Sequence, residues 1–232
     1  MSTGAGPRAP WTDARRGMLG TPDVLEYLIR KRPKDTLLYR YTSKLKKLGA
    51  RPAVVVETPA GRTTVSMRDV FEQATICARA LLALDLAFGE TTTRIGCDHA
   101  ESIVFEQGVL LCGGWMSNVP LPLGDVPSLG PDRARISFVQ DGALWAQLVE
   151  RGVAPEVEHL IVLKDVERAN DPRAMSWEAF LSRGQDTTDD MLAARQRQLV
   201  DVDQAMRKNQ WDPPYSYPTA KARKTPEFGR LT

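Results

Sequence analysis

The sequence predicts an α/β fold in which βαβ units form a mostly parallel sheet. Strand-like and helix-like runs alternate between Pro52 and Gly184. Residues 159–163 (HLIVL) are apolar without alternation, as in strands that are covered on both faces of a parallel sheet. Gly113 and Gly114 separate a helical run from a strand-like run, and glycine adopts the left-handed backbone that often ends a helix.

A hairpin is predicted at the start of this region. Residues 52–57 (PAVVVE) are rich in β-branched side chains and follow a proline, which is typical of a strand. Residues 58–61 (TPAG) have turn composition, and residues 62–65 then return as a second strand.

A long helix is predicted after the hairpin. Ser66 and Asp69 have the spacing of a capping box, which marks a helix N-terminus. The apolar residues that follow recur at helical spacing and include Val70, Ala74, Cys77, Ala78 and Leu81. We expect the helix to run to about Leu86, before Gly89.

The next predicted unit is a strand at residues 94–97 and a helix at 101–112, with Asp98 as the N-cap. Residues 115–120 form the following strand. In residues 123–131 a short, proline-rich segment precedes the next strand.

Later elements follow the same alternation. Residues 136–139 are a predicted strand, and Asp141 with Gly142 opens a helix over 143–151. Ser176 opens a short helix to Leu181.

The two ends differ in composition from this region. Residues 1–20 are rich in Gly, Pro, Ala and Arg and are predicted to be disordered. Thr21 and Pro22 have the pattern of a helix start. We therefore expect a disordered N-terminus at 1–20, a domain at 21–203 and a disordered tail at 204–232.

Composition excludes few function classes. The net charge of +2 gives no whole-chain attraction to nucleic acid or membranes. No apolar run reaches the length of about 18 residues that spans a bilayer, and the N-terminus lacks the apolar core of a secretory signal. We expect a cytoplasmic protein and leave peripheral membrane contact open.

Reactive side chains are few. The three cysteines (Cys77, Cys97 and Cys112) stand in apolar sequence and are predicted to be reduced core thiols. With only two histidines, His99 and His159, a Cys/His metal cluster is disfavoured. No G-x-S-x-G elbow surrounds Ser102, which disfavours a hydrolase triad with His99. The acidic pairs Asp189/Asp190 and Asp201/Asp203 are predicted to be solvated residues at helix termini rather than metal ligands.

Four segments together resemble the N-terminal part of adenylate-forming (AMP-binding) long-chain fatty acyl-CoA synthetases. In residues 63–86 the run 78–81 (ARAL) matches the family's first long helix, and in 95–121 residues 112–114 (CGG) match its Ala-Gly-Gly step. Residues 157–166 and 175–185 (MSWEAFLSRGQ) resemble its Leu-rich strand and its Ser-Trp-Glu-Glu-Phe helix. The resemblance covers roughly residues 21–200, and the bubblegum type looks most similar.

This resemblance implies an incomplete N-terminal subdomain of the adenylate-forming enzyme fold. The full-length family would use ATP, Mg²⁺ and CoA to turn a fatty acid into acyl-CoA through an acyl-adenylate. Its Ser/Thr/Gly-rich phosphate loop is expected soon after residues 199–203, but Gly229 is the only glycine after Gly184. We therefore predict a chain truncated before that loop and inactive alone, with no catalytic, cofactor-binding or metal residues of its own and no cofactor expected for it alone.

The tail and the sheet edge suggest partners. Residues 204–232 hold six basic and two acidic side chains, a balance of 6 − 2 = +4, together with Trp211, Tyr215 and Tyr217. A nucleic-acid-binding arm or a polyproline ligand are the alternatives to a disordered tail. No nucleic acid partner is expected. Association with another protein chain through an exposed edge of the incomplete sheet is the partner that the resemblance suggests.

Overall fold

The computed structural model describes residues 48–58, 61–96, 99–119, 134–152, 154 and 156–207. The predictions for residues 1–47, for Cys97, for the segment 123–131 and for the tail from residue 208 lie outside these ranges. The divisions at residues 20 and 203 remain predictions.

The predicted hairpin is present as a separate two-stranded sheet. Strand β1 (Pro52–Thr58) pairs antiparallel with β2 (Gly61–Ser66), and Val55 lies opposite Thr64. An irregularity between Pro52 and Val54 shifts the register at the start of β1.

The predicted capping box begins helix α1 (Met67–Ala83). The backbone N–H of Asp69 donates to Ser66 Oγ at 3.2 Å, and the N–H of Ser66 donates to Asp69 Oδ2 at 3.1 Å. These bonds satisfy two donors that have no partner within the helix.

The predicted end of α1 at Leu86 is wrong, because the helix ends at Ala83. Asp85 takes a left-handed backbone (φ 56°), which aspartate tolerates better than most residues. Leu86 N–H then donates to Leu81 O at 3.1 Å, and Asp85 N–H donates to Leu82 O at 3.0 Å. This pattern is a Schellman motif, and it keeps Leu86 buried in the core after the helix has ended.

The main sheet has five strands, and every pair within it is parallel. Its order is β4-β3-β5-β6-β7. The strands are β3 (Thr91–Ile95), β4 (Trp115–Val119), β5 (Ile136–Asp141), β6 (His159–Lys164) and β7 (Ala174–Ser176). The predicted α/β class with a mostly parallel sheet is confirmed.

Four further helices pack beside the sheet or follow it. They are α2 (Ala100–Leu111), α3 (Gly142–Glu150), α4 (Trp177–Arg183) and α5 (Asp189–Arg207). Asp141 and Ser176 are N-caps as predicted, with side chains that accept from the backbone three residues on.

Two predicted boundaries around β3 are wrong. The strand covers Thr91–Ile95 instead of 94–97, because Gly96 has a left-handed backbone (φ 63°) that ends the ladder. The N-cap of α2 is His99 instead of Asp98, since the extended backbone of His99 (φ −110°, ψ 160°) precedes the first helical residue.

Helix α5 and strand β7 were not predicted. Helix α5 starts at Asp189, whose carboxylate pairs with the buried guanidinium of Arg79 on α1. The hydroxyl of Thr187 donates to the backbone oxygen of Arg79 at 3.0 Å. These contacts join the start of α5 to α1, and the helix continues past residue 203 to Arg207.

Two apolar clusters cover the two faces of the main sheet. On one face Phe105 of α2 stacks on Phe138 of β5 with ring centroids 4.8 Å apart, and Trp177 and Phe180 of α4 pack beside them. On the other face Trp145 of α3 lies in a second cluster. Successive strand residues point to opposite faces, so β5 and β6 contribute to both clusters. Among the described residues, no helix is long and apolar enough to cross a membrane.

Candidate functional site

The strand order places a topological switch point between β3 and β5. The chain passes from β3 through α2 to β4 on one side, and from β5 through α3 to β6 on the other. Helix α2 contributes Val109 to one apolar cluster, whereas α3 contributes Leu148 to the other, so the two helices leave the sheet on opposite faces. In open α/β sheets, ligands bind outside the carboxyl ends of the strands at such a point.

Two basic side chains meet at this place. Lys164, the last residue of β6, has its Nζ 3.1 Å from Nε2 of His99, the N-cap of α2. An ammonium group can only donate hydrogen bonds, so Nε2 of His99 is the acceptor in this contact. We call Gly96, His99, Asp141 and Lys164 the switch-point edge.

Asp141 is the last residue of β5, which lies between β3 and β6 in the sheet. It is the register partner of Lys164 on the neighbouring strand. Its Oδ1 accepts a hydrogen bond from Leu144 N–H at 2.7 Å, so the carboxylate caps α3. Its negative charge therefore interacts favourably with the N-terminus of that helix.

A close backbone approach fixes the turn after Lys164. A Cβ atom at Gly142 would lie 2.2 Å from Asp165 O and 2.5 Å from Ala169 N, so no side chain fits there. The turn at Asp165, with a left-handed backbone (φ 50°), is thus packed directly on the start of α3. This packing holds the end of β6, and with it the backbone of Lys164, in a defined position.

The start of α2 has no side-chain cap. His99 makes no capping hydrogen bond, and its imidazole is directed to Lys164 instead. The hydroxyl of Ser102 donates to the backbone oxygen of His99 at 2.6 Å and not to its imidazole.

The other reactive residues weighed in the sequence lie elsewhere. Cys77 and Cys112 are buried free thiols, as predicted, and burial raises the pKa of Cys112 to about 12. His159 begins β6 and therefore lies at the opposite edge of the sheet from His99. Asp189 is no merely solvated terminal residue, because it pairs with Arg79.

A metal centre is not evident in the described part of the chain. Across residues 48–58, 61–96, 99–119, 134–152, 154 and 156–207, no three His, Cys, Asp or Glu side chains are grouped so that they could hold a metal ion. The Mg²⁺ that the family resemblance implies therefore has no evident ligand set among these residues.

Two networks of ion pairs and hydrogen bonds join other parts of the fold. Arg135 donates to Glu90 Oε1 at 2.8 Å and to Glu158 Oε2 at 2.7 Å, at the amino-terminal edge of the sheet. Asp171 accepts from Arg173, and Trp145 Nε1 donates to it at 3.0 Å. The hydrogen bonds from Arg173 lower the pKa of Asp171 to about 2.

The sheet also contains two buried hydroxyls with no partner in the described structure. Thr93 of β3 and Ser137 of β5 are neighbours in register, and both are almost completely buried. Thr92, the preceding residue, differs because its hydroxyl donates to Trp115 O at 3.2 Å.

Comparisons with known proteins give structural similarity only. No protein-family model matches the sequence, and no curated protein matches it. Among solved structures, an anthranilate CoA ligase in complex with anthranoyl-AMP is 21% identical with a TM-score of 0.45, over 64% of this chain and 27% of its own. The A domain of carboxylic acid reductase from Segniliparus rugosus, in complex with AMP and a carboxylic acid, is 18% identical with a TM-score of 0.49, over 70% and 32%.

A third similar structure is the adenylation domain of a carboxylate reductase from Mycobacterium chelonae. It is 15% identical with a TM-score of 0.47, over 80% of this chain and 38% of its own. These are adenylate-forming enzymes. This chain spans less than two fifths of each of them. Likeness at this level concerns the fold alone.

Proposed function

We propose that this chain is the N-terminal part of an adenylate-forming ligase that activates long-chain fatty acids, of the bubblegum type. In that reaction the fatty acid carboxylate attacks the α-phosphate of ATP, which gives an acyl-adenylate and releases pyrophosphate. The thiol of coenzyme A then attacks the acyl carbon, which gives the thioester and releases AMP and a proton.

The observation that carries the proposal is the order of the resembling segments along the chain and their positions in the fold. Residues 78–81 lie in α1, residues 112–114 form the corner between α2 and β4, and Ser176 caps α4. At the corner, Gly113 has φ 74°, and a Cβ there would lie 2.4 Å from Phe88. Gly113 thus has a packing role, and the shared order of the segments supports a common scaffold.

We further propose that the 232 residues do not catalyse this reaction by themselves. Acyl-adenylate formation needs donors around the phosphates, and a glycine-rich loop supplies them with its backbone N–H groups. Residues 185–232 contain a single glycine, Gly229, and no such loop. The scaffold would then require phosphate-binding elements that the sequence between residues 1 and 232 does not contain.

The test compares the native product with this chain. Intact mass and C-terminal peptide sequencing of the protein from its source cells establish its length, and both proteins are given ATP, Mg²⁺, CoA and palmitate. We expect a native product above 25.7 kDa that forms palmitoyl-CoA, and no product from the purified chain. Thioester formation by the pure chain would refute its inactivity. A longer native protein that activates no fatty acid would refute the ligase assignment.

A second candidate is a non-catalytic protein that binds a partner chain through the edge of its sheet. Strand β4 is the last strand on its side of the described sheet. Trp115 at its start is 42% exposed. Unpaired edge strands are templates for strand addition. Size-exclusion chromatography with light scattering tests this candidate on the protein from its source cells. A stoichiometric complex would favour it, whereas a stable monomer would count against it.

A further inference from the structure

We propose that the switch-point edge is an oxyanion-binding site, in which the ammonium of Lys164 and the imidazole of His99 together hold a carboxylate or a phosphate group. This inference rests on the topology and on side-chain contacts. It does not require the chain to be a ligase.

The first step is the position of the two side chains. Lys164 and His99 are 65 residues apart in sequence, and their strands are separated in the sheet by β5. Their contact therefore passes over the carboxyl end of β5, where the two crossover helices diverge. The ammonium at the end of β6 and the imidazole in the turn after β3 can both face one ligand, which one flexible lysine on a helix surface cannot achieve.

The second step concerns the partners of Lys164 in the described part of the chain. Within the described part of the chain, no carboxylate lies within ion-pair distance of its ammonium group. The nearest candidate by register, Asp141, caps α3 instead. The described partner of Lys164 is a ring nitrogen that is itself basic. An oxyanion would accept a charge-assisted hydrogen bond from Lys164 and, once the ring is protonated or has turned, a second one from His99.

The third step concerns selectivity. Asp141 belongs to the edge, and Glu101 and Asp165 lie within two residues of His99 and Lys164 in sequence, so acidic charge is close to the two basic side chains. A diffuse cationic surface is therefore not present, and binding depends on direct contact with the two donors. An oxyanion that contacts both side chains should bind in a saturable way, while chloride should not compete.

The experiment uses the full chain and reads the two histidine rings by long-range ¹H–¹⁵N NMR. The chain has two histidines, and His159 at the opposite sheet edge is an internal control. Sodium phosphate, pyrophosphate, acetate and hexanoate are titrated separately, with sodium chloride holding the ionic strength constant. The variant His159→Gln assigns the signals. We expect a saturable shift of the His99 signals alone.

Variants test the role of the ammonium. Lys164→Met keeps most of the aliphatic stem and removes the charge, so we expect the affinity to fall at least tenfold. Lys164→Arg should retain binding. Arg183→Met removes one charge from an exposed position on α4 and should leave the titration unchanged. Circular dichroism confirms that each variant is folded.

The outcomes separate the possible ligands. Saturation by phosphate and pyrophosphate assigns a phosphate site, and saturation by acetate and hexanoate assigns a carboxylate site; either supports the proposal. No shift, equal shifts of both histidines, or an unchanged titration in Lys164→Met overturns it. Because this is a direct binding measurement, its result is independent of whether the native protein forms palmitoyl-CoA.

Discussion

The adjacent threonines Thr92 and Thr93 give a matched test of buried hydrogen bonding. Both lie on β3, and their exposed fractions are 0% and 1%. The hydroxyl of Thr92 donates to Trp115 O at 3.2 Å, whereas that of Thr93 has no partner in the described structure. Replacement by valine keeps the β-branched shape in both cases and removes only the hydroxyl. The two variants should therefore change stability in opposite directions.

The expected magnitudes follow from the two environments. Thr92→Val loses a buried hydrogen bond and should lower the free energy of unfolding by about 1 kcal/mol. Thr93→Val removes a hydroxyl that was desolvated without compensation and should raise the free energy of unfolding by about 1–3 kcal/mol. With an m-value of about 1–3 kcal/mol/M in urea, the two midpoints should differ by roughly 1 M or more.

Urea denaturation followed by tryptophan fluorescence measures both variants against the parent chain. Equal m-values are required, because a changed m-value would mean that the denatured state had changed. A loss of stability in Thr93→Val as large as that in Thr92→Val would refute the reasoning, since it would mean that the Thr93 hydroxyl has a hydrogen-bond partner in solution.

Three more substitutions test particular contacts. Gly142→Ala should lower the free energy of unfolding by about 3 kcal/mol or prevent folding, because its Cβ would meet the backbone of Asp165 and Ala169; thermal unfolding against the parent measures this, and a neutral variant would contradict the packing of α3. Ser66→Ala should lower the free energy of unfolding by about 1 kcal/mol, as measured by urea denaturation, and an unchanged value would contradict the capping box. The pKa of Asp171 is about 2 in the folded chain against an ordinary value of 3.8, so its carboxylate contributes stability above about pH 4 that is lost as the pH falls to about 2. Asp171→Asn should flatten that part of the profile of unfolding free energy against pH. An equally steep profile would argue against the hydrogen bonds from Arg173.

Features encoded by neighbouring residues could be predicted from the sequence. The capping box needs only Ser66 and Asp69 at the right spacing, and the N-caps Asp141 and Ser176 are equally local. The end of α1 was missed because Leu86 continues the apolar pattern of the helix while lying beyond a Schellman motif. Apolar periodicity indicates which residues are buried, and a residue beyond the end of a helix can still be buried.

Helix α5 was missed for a different reason. Between Asp189 and Asp201, its buried residues lie on one helical face, but they are a leucine, an alanine, a glutamine and a valine: Leu192, Ala193, Gln196 and Val200. Such a face gives a weak periodic signal. The ion pair between Arg79 and Asp189 joins residues 110 positions apart, and no local pattern predicts it.

The contact that defines the switch-point edge could not be predicted from the sequence, because it also joins residues that are distant along the chain. His99 and Lys164 were visible as residue types, yet their contact depends on the order β3-β5-β6 in the sheet. That order is a property of strand pairing between distant segments. The sequence predicted parallel strands, which places functional groups at the carboxyl ends in general, but it did not predict which ends are neighbours.

The position of β3 within the sheet also has a consequence for how the chain folds during synthesis. Strand β3 is made before its neighbours β4 and β5, and both pair with it later, on opposite sides. The sheet therefore grows outward from its first strand, and β7 joins at the rim. Until β5 is translated and docks, one edge of β3 keeps its backbone donors and acceptors unpaired. A chain that ends before β5 would keep that edge of β3 open and would be exposed there to pairing with another copy.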